Sequence, residues 1–133
     1  MKTSKGFTII ELLVVIAIIA VLAAVVLVNV TQYISKGKDA AAKGNMATLL
    51  TNGAVYYDTH SDSYNGFDTS AGFNSVNGAL STAGYALVFD GTNTSWCASV
   101  VTKSDTAKSF CVDSTGKKAE SNTAICASSA CPN

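Results

Sequence analysis

One carboxylate in this sequence stands where carboxylates are unfavourable: Glu11, directly ahead of seventeen uninterrupted apolar residues at 12–28. Carrying such a charge to the centre of a bilayer costs about 2.5–3.5 kcal/mol, so Glu11 needs either a cationic partner or a place in the headgroup layer. A cut in the backbone would supply the cation. Hydrolysis between Gly6 and Phe7 would create an amino terminus four residues before Glu11, one helical turn away. That amine could neutralise Glu11 in its own chain or in a neighbouring copy. In the second case it would fix the axial offset between copies, as buried polar groups set register in helix assemblies. The other reading leaves Glu11 idle in the headgroup layer.

Cysteine offers a second chemistry. Cys97, Cys111, Cys126 and Cys131 all fall in the last third of a 133-residue chain that opens with an export-type segment. An even count in that setting favours disulfides over thiol chemistry. A metal centre is not indicated, because there is no C-x-x-C pair and His60, the single histidine, lies far along the chain from every cysteine. Asp62, Asn65 and Asp68 offer oxygen ligands but miss the spacing of a calcium loop, and read as a solvated loop. With no Gly-rich phosphate loop, nucleophile elbow or convergent titratable groups, we expect no enzyme and no cofactor. The tyrosines and phenylalanines read as core rather than as an electron path. Nine lysines, with no arginine, balance nine acids, so no basic face for nucleic acid is expected and copies meet little net repulsion.

The amino-terminal segment must position the first of these groups. As a helix, residues 7–28 cover about 33 Å at 1.5 Å per residue, enough to cross a hydrocarbon core of about 30 Å. A cleaved secretory signal, with Val21-Leu22-Ala23-Ala24 as its cleavage region, and an uncleaved anchor are rival readings. Neither has a use for Glu11.

Lys5-Gly6-Phe7-Thr8-Ile9-Ile10-Glu11-Leu12-Leu13-Val14 closely resembles the prepilin cleavage motif of type IV pilins and of the pseudopilins of type II secretion. The resemblance covers residues 5–28 and implies nothing about the remainder. It implies cleavage after Gly6 by a membrane-embedded aspartyl peptidase, methylation of the new terminal Phe7, and pairing of Glu11, the assembly residue, with a neighbour's amino terminus. The implied partners are further copies in a helical filament, the prepilin peptidase, an integral platform protein, a cytoplasmic assembly ATPase, and membrane lipid before assembly. The implied location is a single pass of the cytoplasmic membrane, then a filament at the cell surface. Many members of the family carry proline at the position of Val28, and without it any kink has no assigned place. Lys36, Lys38 and Lys43 follow the apolar run, so Lys2 and Lys5 do not decide orientation by counting and it rests on the motif.

Helical spacing continues beyond residue 29. Val30, Tyr33, Ile34, Ala41, Ala42, Met46, Leu49, Leu50, Gly53 and Tyr57 recur at three- and four-residue steps, predicting one helix over about 7–57 whose second half is amphipathic. Gly37, Gly44 and Gly53 each weaken a helix interior by about 1 kcal/mol relative to Ala, marking close contact, local melting or plain tolerance. Residues 60–79, with Gly66, Gly72 and Gly78, read as a long connecting loop.

Residues 85–89, a turn at Asp90-Gly91, and residues 94–101 and 108–112 read as hairpin strands. Setting Cys97 opposite Cys111 places Trp96 opposite Val112 and Ala98 opposite Phe110, all four on one apolar face with both cysteines on the other. That register favours a Cys97–Cys111 bridge, with Cys126–Cys131 closing a small terminal loop, among the three connectivities four cysteines allow. The expected fold is α+β, a long amino-terminal helix packed on a small antiparallel sheet of three or four strands stapled by disulfides. Its parts are a leader at 1–6, a membrane and filament-core helix at 7–28, its amphipathic continuation at 29–58, a connection at 59–82 and a sheet-bearing head at 83–133. The expected function is that of a structural subunit, a pilin. The alternatives are a pseudopilin of a type II secretion or competence DNA-uptake system, and a membrane-anchored binding domain that never polymerises.

Overall fold

A computed structural model describes residues 6–122, 126 and 128–132; Lys2, Lys5 and the rest of the expected leader before Gly6 lie outside the described residues. The chain divides into two compact units between Ile34 and Ser35. A single helix, α1 (Ile9–Thr59), starts in the first unit and ends in the second, unbroken at Asn29, Gly37 and Gly44, so no interruption marks a kink. In the first unit the leucines, isoleucines and valines whose side chains are described are exposed, and the helix is long and apolar enough to cross a membrane.

In the second unit α1 buries a stripe of Asp39, Ala42, Met46, Leu49 and Gly53, spaced at three and four residues. Ala41, expected on this face, is exposed. The stripe covers an antiparallel sheet of β1 (Val88–Gly91), β2 (Trp96–Val101), β3 (Ser109–Asp113) and β4 (Lys118–Ser121), in that spatial order. Alternation along β2 and β3 sends Trp96, Ala98, Val100, Phe110 and Val112 into one core with Met46 and Leu49. The cysteines form a separate cluster with Cys126 and Cys131.

Three expectations require correction. The segment read as a connecting loop holds a short 3-10 helix (Phe67–Thr69) and a second α-helix, α2 (Ala71–Thr82). Ser70 caps α2, its Oγ accepting from Phe73 N at 3.2 Å, and Phe73, Val76 and Leu80 bury one face. Gly72 and Gly78 disguised that helix, since glycine in a helix interior is unfavourable unless packing offsets it. The first strand starts at Val88 rather than at residue 85, and Asp90 and Gly91 belong to it; the turn lies beyond, closed by Thr92 N donating to Ser95 O at 2.7 Å.

The third correction concerns the cysteines. Cys97 pairs with Asp113 and Ser99 with Cys111, so the strands sit two residues away from the expected register while keeping the expected faces. Cys97 and Cys111 are therefore diagonal neighbours, whose separation in a sheet exceeds bridging distance. The bridges are Cys97–Cys126 and Cys111–Cys131, with Cα separations of 5.6 and 5.8 Å, and not Cys97–Cys111 and Cys126–Cys131. Each strand cysteine instead finds its partner in the carboxy-terminal segment, beside the polar face.

Of the three glycines in α1, only Gly53 meets a close neighbour: a Cβ there would stand 2.8 Å from Trp96 Cζ2, whereas Gly37 and Gly44 have open space. Trp96 is fully buried and has little room to move. Overpacking costs about 1–3 kcal/mol and outweighs the roughly 1 kcal/mol that Ala gains over Gly in helix propensity. Gly53→Ala should therefore destabilise this unit by about 1 kcal/mol, read as a lower denaturant midpoint by Trp96 fluorescence. Gly37→Ala should leave the midpoint unchanged or raise it.

Candidate functional site

Thr8 immediately precedes α1, and Glu11 occupies the third helical position. Glu11 N donates to Thr8 Oγ1 at 3.3 Å, while Glu11 Oε2 accepts from Thr8 N at 2.9 Å and from Thr8 Oγ1 at 2.8 Å. This reciprocal arrangement is a capping box: each side chain satisfies an amide that the helix start would leave without a partner. A carboxylate there also meets the positive end of the helix dipole. Oε1 accepts no bond from any described residue, so Glu11 keeps one oxygen open to a further donor. The Thr8-Ile9-Ile10-Glu11 spacing carries the capping signature, which a search for apolar periodicity passes over.

Phe7 and Gly6 lie before the helix, exposed to solvent. Phe7 therefore stands outside the helix rather than one regular turn below Glu11. Gly6 has open space where a Cβ would sit and no left-handed φ, so nothing in the described fold demands glycine at this position. Asp62 sits at φ 56° just after α1, Asp68 lies in the 3-10 helix, and His60 stacks on Tyr56 with ring centroids 3.8 Å apart. Among the described residues no group of three His, Cys, Asp or Glu side chains is placed to hold a metal.

The second unit depends on a charge that periodicity could not reveal. Asp39 is buried, with Oδ1 accepting from Tyr85 Oη and from Lys103 N, both at 2.7 Å, and Oδ2 accepting from Ser104 N at 2.8 Å. Burial alone would raise its pKa, but these donors outweigh it and hold the carboxyl at about 2. Tyr85, desolvated and facing that carboxylate, is pushed well above its ordinary value. Asp113 plays a similar part at the far side of the sheet. Its own desolvation is outweighed by donation from Thr115, Cys131 and Lys117, which lowers its pKa. Cys131 N reaches Asp113 Oδ2 at 3.0 Å and Ser129 N reaches Asp90 Oδ2 at 2.7 Å, so carboxylates as well as sulfur hold the carboxy-terminal segment.

The chain thus combines a helix with an uncovered apolar first half, a capped glutamate at its start and a disulfide-bearing sheet beside its second half. Residues 1–27 match the prokaryotic N-terminal methylation motif, and the chain is similar over its amino-terminal part to type IV pilins. It is 36% identical over 70 residues to the type IV major pilin protein PilA of Myxococcus xanthus (strain DK1622), covering 53% of this chain and 31% of that protein. It is 49% identical over 51 residues to the type IV major alpha-pilin of Moraxella bovis, covering 38% of this chain and 32% of that one. The chain thus spans about a third of the length of the curated relatives it matches. No solved structure matches it.

Proposed function

We propose that this chain is the subunit of an extracellular type IV pilus-like filament, cut after Gly6, methylated at Phe7 and polymerised through the first half of α1. Before assembly, residues 7–28 hold it in the cytoplasmic membrane as a single pass. The observation that carries this reading is the exposure of the apolar side chains of that half-helix, with Ile9 83% and Ile10 75% exposed. Such a surface needs lipid first and other helices afterwards. Glu11, with one oxygen engaged by Thr8 and the other open, supplies an acceptor for the amine of a neighbouring Phe7. A glycine that its own fold does not require suits the subsite of a prepilin peptidase, and the platform protein and assembly ATPase would follow as partners.

Glu11→Ala tests the proposal. Leaving a buried amine without its carboxylate costs about 3–5 kcal/mol per contact, enough to abolish a polymer in which that contact repeats. Surface filaments should disappear while membrane insertion stays normal, and the mature protein should begin by mass spectrometry at N-methylated Phe7. Filaments unchanged in Glu11→Ala, or a mature start near Val25, would overturn it. The pseudopilin reading remains second, because the similar proteins from Myxococcus xanthus and Moraxella bovis include ones named as major pilins.

A further inference from the structure

We propose that the second unit carries a binding site for a neutral sugar ring, between the segment that follows α1 and the β1–β2 turn. A cavity of about 130 Å³ opens there, lined among others by Tyr64, Asn65, Asp68, Phe89, Gly91 and Asn93. Two hydrogen bonds to main-chain oxygens shape it: Tyr64 N donates to Asn93 O at 2.8 Å, and the Tyr56 side-chain Oη donates to Asn65 O at 2.6 Å. These bonds use main-chain oxygens and leave the side chains of Asn65 and Asn93 without partners among the described residues. The Asp68 carboxylate is likewise unengaged and exposed.

The chemistry of the lining selects the ligand class. Two carboxamides present both donors and acceptors, and one carboxylate adds acceptors, which is the mixture that alternating hydroxyl groups require. Half-buried Tyr64 and Phe89 supply aromatic surface against which the apolar face of a sugar can lie. No lysine lines the cavity and Asp68 is an acid, which disfavours an anionic ligand. Calcium is disfavoured because a single carboxylate is far from the six to eight oxygen ligands that ion takes. The volume is well below the roughly 300 Å³ at which sites for larger organic ligands begin, so it suits one ring. Affinity of so small a site should be millimolar. Repetition along a filament would raise the effective strength, a consequence that rests on the assembly reading, whereas the site itself does not.

The test uses the full isotope-labelled chain in micelles of a detergent without a sugar headgroup, titrated to about 50 mM with D-glucose, D-galactose and N-acetyl-D-glucosamine. At least one sugar should produce saturable NMR shifts at the side-chain amides of Asn65 and Asn93 and the backbone amide of Gly91. Binding should weaken about tenfold in Asn93→Ala and in Asp68→Asn. Asp68→Asn alters one exposed carboxylate and no hydrogen bond, so it keeps the test open should Asn93→Ala misfold. Absence of saturable shifts with all three sugars would overturn the assignment. So would shifts at these amides from calcium or tetramethylammonium alone. Because the experiment reads monomers, its failure leaves the filament proposal standing, and loss of filaments in Glu11→Ala leaves the sugar site standing.

Discussion

Replacing Asp39 by Ala is expected to lower the stability of the second unit by about 3 kcal/mol. Three donors lose their acceptor at once: Tyr85 Oη, Lys103 N and Ser104 N. Hydrogen bonds to a charged group contribute about 1.5–3 kcal/mol each, and the variant recovers part of the sum because no carboxylate has to be desolvated and water can reach the loop amides. A unit with only about 5–15 kcal/mol of total stability has little room for such a loss. Asp39→Asn is the sharper variant. An amide can place its oxygen where Oδ1 accepts from Tyr85 and Lys103, but its NH₂ then faces Ser104 N, donor against donor, so about half of the loss should remain.

The same carboxylate sets an acid limit. Its pKa falls from 3.8 to about 2 on folding, so its contribution is complete above about pH 4 and is lost as pH drops through that interval. The shift corresponds to about 2 kcal/mol. Asp113, whose pKa is also lowered, adds acid sensitivity of the same sign. Urea midpoints of the micelle-bound chain read by Trp96 fluorescence should be lower at pH 2 than at pH 6, and the difference should shrink in Asp39→Asn. An equal difference in both proteins would rule out Asp39 as a principal source.

Converting all four cysteines to serine is the second large effect, and the head should then be mostly unfolded at 37 °C. The bridges span sequence separations of 29 and 20 residues, for which loop-closure entropy gives about 3–4 kcal/mol each. Together they match the whole stability usual for a small domain, and the carboxylate contacts at Asp90 and Asp113 offset only part of it. Paired replacements separate the two. Cys97→Ser with Cys126→Ser, or Cys111→Ser with Cys131→Ser, should each cost about 3 kcal/mol and leave the other bridge intact. Peptide mapping without reductant should recover linked peptides containing Cys97 with Cys126 and Cys111 with Cys131. A Cys97–Cys111 peptide would contradict the sheet register.

The contrast between readable and hidden features follows from what each residue's type reveals on its own. The long helix was legible because apolar residues recur along it at three- and four-residue steps, and the sheet faces were legible because Trp96, Ala98, Phe110 and Val112 alternate with cysteine. The register was not, because a diagonal Cys97 and Cys111 satisfy alternation as well as an opposed pair does. Asp39 escaped notice because a charge on a helix ordinarily marks a solvated position, and only the arrival of Tyr85, Lys103 and Ser104 from distant segments reveals its burial. Helix α2 was hidden by its glycines and small polar residues, with Phe73, Val76 and Leu80 too few to dominate the pattern. At the amino terminus the acid itself was conspicuous, whereas its bond to Thr8 lay in the spacing of two polar residues.

The two bridges interleave along the chain, since Cys111 lies between Cys97 and Cys126, and Cys126 lies between Cys111 and Cys131. A single proteolytic nick anywhere from Cys97 to Cys131 therefore leaves its two fragments covalently joined. Sequential pairing would have let one clip between Cys111 and Cys126 shed the tail and lay bare the sulfur-bearing face of the sheet. If the molecule stands at the cell surface as proposed, the interleaved order keeps that end attached after any one or two cuts between Cys97 and Cys131, so its loss requires three cuts or a reductant.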